Sequence, residues 1–64
     1  MECYRVLIAD DQQMIRQILE SAVENAAEFT LSGSVGSAAG AIAHCAANHV
    51  DLVLMDVVMG AVGG

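Results

Sequence analysis

The sequence has no proline, no tryptophan, two aromatic residues (Tyr4 and Phe29), two basic residues (Arg5 and Arg16) and two cysteines (Cys3 and Cys45). Each scarcity excludes something. Two isolated arginines against eight acids, for a net charge of −6, leave no cluster that could displace counterions from nucleic acid or from an anionic membrane surface. Two aromatics offer little for bases to stack on. Two cysteines close one bridge at most, so a disulfide-stapled scaffold is excluded. The opening residues, Met1 to Arg5, are not the basic run and long apolar stretch of a secretion signal, and no window reaches the ~18 uninterrupted apolar residues of a membrane span. A cytoplasmic location is therefore the expectation, with Cys3 and Cys45 as reduced thiols buried as small hydrophobes.

Apolar residues, by contrast, are abundant, at 56% of 64 residues, above the roughly 45–50% of ordinary globular chains, which argues against disorder. Such a length allows one domain at most. A chain this short buries only about 60% of the surface it exposes when unfolded, so an independent fold is marginal. The sequence reads as core with too little periphery, part of a larger buried structure.

Tyr4 to Ala9 is a nearly continuous apolar run stopped by Asp10 and Asp11, which suits a strand covered on both faces, as in a parallel sheet. From Gln12 the period changes. Ile15, Ile18, Leu19, Ala22, Val23 and Ala26 recur at steps of three and four, with Arg16, Gln17, Glu20, Ser21, Glu24 and Asn25 opposite. This is an amphipathic helix, capped by Asp11 or Gln12. Phe29, Leu31, Gly33 and Val35 then alternate with Thr30, Ser32 and Ser34, the period of a half-exposed edge strand. After Gly36, Ser37 is an N-cap for a second helix with Ala41, Ile42, Cys45 and Ala46 on its inner face; Gly40 costs that helix roughly 1 kcal/mol relative to alanine. Leu52 to Met55 is a second apolar run, entered from Asp51 and closed by Asp56. The elements are expected over about 4–10, 12–27, 29–35, 37–48 and 51–56 of a single unit, residues 1–64. Strand–helix alternation of this kind implies an α/β fold with right-handed crossovers and a parallel sheet. The two apolar strands pair at its centre with the alternating one outside, in order 2-1-3.

Both apolar strands end in aspartate, so Asp10, Asp11 and Asp56 are expected to meet at the carboxyl edge of the sheet, where open α/β sheets bind ligands. Strand neighbours lie about 4.8 Å apart, so these carboxylates repel one another unless a cation or proton intervenes. Hard oxygen donors suit Mg²⁺. Taken singly, each aspartate could merely cap a helix or start a turn; three together favour a cation site without saying what it serves.

Arg5 to Asp11, then Arg16 and Leu19, then Leu52 to Met59, resemble the receiver domain of two-component response regulators. Ile8 to Asp11 and Leu31 to Val35 resemble most the subgroup with a LuxR/NarL-type helix-turn-helix output domain. The resemblance covers essentially the whole chain and implies the N-terminal part of a flavodoxin-like (CheY-like) fold. It also implies that Asp56 accepts a phosphoryl group from phosphohistidine on a sensor histidine kinase. Mg²⁺ would be held directly by Asp11, through water by Asp10, and by Asp56 and the backbone carbonyl of Val58. On this reading the chain is a phosphorylatable signalling module regulating an output such as transcription, not an enzyme, and any DNA binding belongs to residues outside it. Two departures stand out: Val50 and Gly60 occupy places where the family usually has proline, and the family's phosphoryl-contacting Ser/Thr and Lys positions fall beyond Gly64. A third strand left as an apolar edge invites pairing with another chain, so self-association, or a longer parent protein, is a further expectation. The alternative function is a non-catalytic receiver fragment acting through that edge.

Other constellations carry less. His44, Cys45 and His49 lack the ligand spacing of zinc modules, and the two histidines are expected to face solvent near a helix C-terminus. Met14, Met55 and Met59 read as packing residues. No glycine pattern matches a phosphate-cradling loop, and the Asp-x-Asp spacing of aspartate-dependent phosphatases is missing.

Overall fold

The computed structural model describes residues 3–55. Strand β1 (Tyr4–Ala9) is followed by helix α1 (Gln13–Glu24), strand β2 (Phe29–Val35), helix α2 (Ala38–Ala47) and strand β3 (Leu52–Met55). The three strands form one parallel sheet in the order β2-β1-β3. This is the β-α-β-α-β arrangement of a partial CheY-like fold. Consecutive burial along β1 shows why it is central: Val6, Leu7, Ile8 and Ala9 are all at 0–1% exposure, which requires cover on both faces because neighbouring side chains point opposite ways. Val6 and Ile8 pack with Val23, Leu19, Phe29, Leu31 and Leu54 on one face. Leu7 and Ala9 pack with Ala41, Val35 and Val50 on the other. Val50 is half-buried and packs against this face of the core.

The alternation expected in β2 is broken by an irregularity. Val6 pairs with Leu31 but Leu7 pairs with Gly33, leaving Ser32 as an extra residue. Phe29 and Leu31 therefore join the α1 side of the sheet and Val35 the α2 side. A bulge of this kind flips the face of every residue beyond it. As an outer strand, β2 gives both layers some apolar surface.

Helix α1 stops at Glu24, three residues short of the expected end. Asn25 donates its side-chain amide to the Ser21 carbonyl at 2.9 Å, and Ala26 N–H reaches back to Val23 at 3.1 Å, so two carbonyls of the last turn are satisfied without a further turn. Asn48 closes α2 in the same way, donating to the His44 carbonyl at 3.1 Å. Ser37 caps α2 as expected, accepting the Gly40 N–H at 3.0 Å. The buried stripe of α1 is centred on Leu19 and Val23; Ile18, expected inside, is 59% exposed, and Met14, expected to pack, is 72% exposed. Arg16, expected outside, is half-buried.

The face of α2 is also rotated from the expected one. Ala41 is buried, but Ile42, Cys45 and Ala46 are exposed. His44, expected in solvent, is half-buried and lies within 2.8 Å of Ser32 Oγ through its Nε2. Two glycines make this possible: a Cβ on Gly33 would stand 2.6 Å from His44 Cε1, and one on Gly40 would stand 3.3 Å from Val35 Cβ. Gly40, a flaw by helix propensity, lets α2 approach the sheet. The thiols of Cys3 and Cys45 are free and exposed rather than buried, and Met55 is exposed as well. No described helix is long and apolar enough to cross a membrane.

Candidate functional site

Strands β1 and β3 are in register over Val6–Leu52, Leu7–Val53, Ile8–Leu54 and Ala9–Met55. The last pair ends both strands level at the carboxyl edge, and the residue following each partner in sequence is an aspartate, Asp10 after Ala9 and Asp56 after Met55. Asp56 and Val58 themselves lie outside the described residues. Asp10 is only 2% exposed, an uncommon setting for a carboxylate, which needs compensating bonds. The carboxylate has one such bond, from Gln12 N–H to Oδ1 at 2.8 Å. The backbone of the same residue is held as well: Asp10 N–H donates to the Val35 carbonyl at 3.1 Å, and Arg16 Nη1 donates to the Asp10 carbonyl at 2.8 Å.

The loop entering α1 is thus organised by Asp10, where the sequence pointed to Asp11 or Gln12 as the cap. Gln12 occupies the N-cap position but its side chain makes no capping bond. Asp11 follows in an exposed bend. The Gln12 N–H is taken by Asp10 Oδ1, and Asp11 makes no such bond. Beside Asp10 an open cavity of about 320 Å³ is lined by Ile15, Leu19, Leu54 and Met55.

The remaining polar groups lie apart from this edge. At the amino end of β3, Asp51 N–H donates to the Arg5 carbonyl and Arg5 N–H donates to Asp51 Oδ2, both at 2.8 Å. His49 Nε2 lies 2.8 Å from Asp51 Oδ1. The bond from the Arg5 N–H holds the Asp51 carboxyl below its ordinary value; desolvation opposes it, and the bond to His49 and the charges of His49 and Arg5 add to the lowering. His49 is exposed as expected. Among the described residues no three His, Cys, Asp or Glu side chains converge as a metal cluster, so His44, Cys45, His49 and Cys3 are not brought together.

Residues 6–64 match the family model described as the response regulator receiver domain. The chain belongs to that family. It is 34% identical over 59 residues to the response regulator UvrY of Escherichia coli O6:H1 and, to the same extent, to that of Escherichia coli O157:H7. The aligned part is 92% of this chain and 27% of each relative, so the chain spans about a quarter of the length of the curated relatives it matches. No solved structure matches it significantly. For a receiver domain the donors at the edge of β1 are chemically apt. Asp10 and Asp11 offer hard carboxylate oxygens, and among the described residues neither is engaged in an ion pair. Such donors fit an oxygen-preferring divalent cation such as Mg²⁺.

Sequence reasoning missed Arg16 as part of this edge. Its place three residues before Leu19 and seven before Val23 put it on their stripe, a signal masked by its charge.

Proposed function

We propose that this receiver chain accepts a phosphoryl group on Asp56 from a sensor histidine kinase, in a two-component relay whose output is a process such as transcription. Asp11 and Asp56 would hold Mg²⁺ directly, with the Val58 carbonyl, and Asp10 through water. The level ending of β1 and β3 at Ala9 and Met55 carries this reading, since it starts the segments bearing Asp10, Asp11 and Asp56 from adjacent points. When bound, the cation offsets the repulsion between carboxylates and the incoming phosphoryl group.

The protein's own contribution is placement. Asp10, fixed through both backbone groups and one carboxylate oxygen, keeps a charge at the edge without tumbling. A carboxylate oxygen of Asp56 attacks phosphorus, the P–N bond to the kinase imidazole breaks, and that nitrogen leaves with the bonding pair and takes up a proton. The resulting acyl phosphate is labile and so serves as a temporary signal; the chain is a module of a relay rather than an enzyme acting on a free substrate, and it works in the cytoplasm. Met14 and Ile18, exposed at four-residue spacing on the helix that starts beside Asp10, offer apolar anchors for a protein partner.

Incubation with Mg²⁺ and acetyl phosphate is expected to yield one hydroxylamine-labile phosphate on the wild-type chain and none on Asp56→Asn. A stable adduct on another residue would remove the proposal. A second reading rests on the exposed Leu52, Val53 and Met55 of β3, an outer strand among the described residues. Such an edge favours pairing with another copy or another protein. Metal binding without any phosphate adduct, together with concentration-dependent sedimentation, would favour it.

A further inference from the structure

The two arginines have different settings. Arg5 is exposed, whereas Arg16 is half-buried. Arg16 Nη1 donates to the backbone carbonyl of Asp10 at 2.8 Å, although two carboxylates belong to the same loop. A Cβ on Gly36 would stand 3.1 Å from Arg16 Nη1 and 4.0 Å from the Asp10 carbonyl oxygen. Three elements therefore meet at this guanidinium: α1 carries it, the residue ending β1 accepts from it, and the turn after β2 leaves it room. Asp10 is held on all sides, its N–H on Val35, its carbonyl on Arg16 and its Oδ1 on the Gln12 N–H.

We infer that Arg16 is a positioning residue for the divalent-cation site, a strut that fixes the peptide joining Asp10 to Asp11 without itself engaging either carboxylate. This rests on the reading of those two aspartates as cation ligands. A pre-set peptide lowers the ordering cost of binding, and partners behind metal ligands commonly control affinity. Gly36 belongs to the same device, because a side chain there would press on the guanidinium.

The sign of the effect separates a strut from a mere neighbouring charge. Removing a nearby positive charge tightens the binding of a dication if charge alone matters. Removing a strut weakens it. Mg²⁺ titrations of the full chain, followed by the amide NMR shifts of residues 10–12, measure the difference. Arg16→Gln is expected to weaken Mg²⁺ binding roughly 10-fold, within the range typical of outer partners of metal ligands. Arg16→Lys, which keeps the charge and an N–H donor on a slightly shorter side chain, is expected to restore part of the affinity. Gly36→Ala, which keeps the arginine and its charge, is expected to weaken binding by a smaller factor.

A measurement without metal reports the strut itself. The Gln12 amide, bonded to Asp10 Oδ1, is expected to exchange faster in Arg16→Gln than in wild type or Arg16→Lys. Equal or tighter Mg²⁺ binding by Arg16→Gln, with unchanged Gln12 exchange, overturns the strut and leaves the cation site standing. If that variant does not fold, unchanged affinity in Gly36→Ala overturns it instead. Absence of Mg²⁺ binding by the wild-type chain overturns the cation-site reading, and the inference with it.

Discussion

Replacing Gly33 by alanine is expected to destabilise the wild-type chain yet stabilise it once His44 is gone. The added Cβ would stand 2.6 Å from His44 Cε1, closer than two such carbons can approach, so the imidazole must swing away. It is tethered by the 2.8 Å bond between Nε2 and Ser32 Oγ. Swinging the ring breaks that bond, a net loss of about 0.5–1.5 kcal/mol, and disturbs α2 packing in the manner of an overfilled core, which typically costs about 1–3 kcal/mol. Against this, an alanine at a compatible backbone position gains about 0.4–1 kcal/mol by restricting the unfolded chain. Gly33→Ala alone should therefore lower stability by about 0.5–4 kcal/mol.

In a His44→Ala background the clash is absent and only the unfolded-state gain remains. The same substitution should there raise stability by about 0.4–1 kcal/mol. Urea unfolding followed by far-ultraviolet circular dichroism on the wild type, the two single variants and the double variant gives the coupling directly. The reasoning fails if the effects of the two substitutions add to within about 0.5 kcal/mol, the level expected of sites that do not touch. It fails equally if Gly33→Ala alone is stabilising.

Three further outcomes are expected. Asp51 has a depressed carboxyl in the folded chain, so its stabilising contribution is present above its unfolded pKa and is lost as pH falls through the lowered folded value; Asp51→Ala should flatten the acid limb of a stability–pH profile below about pH 5, and an unchanged limb would refute this. Leu7→Ala, at a position with 0% exposure, should cost about 2–5 kcal/mol, whereas Met14→Ala should change stability by no more than about 0.5 kcal/mol, as thermal unfolding would show. Asp10→Asn keeps an oxygen to accept the Gln12 N–H and should leave stability nearly unchanged while sharply weakening Mg²⁺ binding, measurable by calorimetry; a loss of fold without loss of Mg²⁺ affinity would reverse the assignment.

The polar residues beside the core show how far local signals reach. Ser37 was legible as a cap because its bond to Gly40 spans one turn of the same helix. Asn25 and Asn48 close their helices by equally local bonds, yet asparagine after an apolar stripe resembles any loop residue. Asp10 and Asp11 were legible as a pair at a strand end, but which of them reaches the Gln12 N–H depends on the backbone of the bend. His44 was illegible as an inward residue because its partner, Ser32, is the extra residue of a bulge that no alternation pattern reveals.

The element order and the central place of β1 could be read from the sequence, because the unbroken apolar run Val6 to Ala9 is stable only when both sheet faces are covered; the equally apolar Leu52 to Met55 run pairs with β1 but keeps three of its four side chains exposed. The sequence also marked the ends of those runs as acidic. Tertiary structure alone decided which faces of α1 and α2 turn inward. Helical periodicity offers several neighbouring stripes of similar hydrophobicity, and the choice among them is made by contacts between elements. Leu19 and Val23 seat against Val6 and Ile8, and this brings Arg16 to the Asp10 carbonyl. Gly33 and Gly40 admit α2 with His44 facing the sheet. Those contacts join residues distant in sequence, and no local propensity carries their preference.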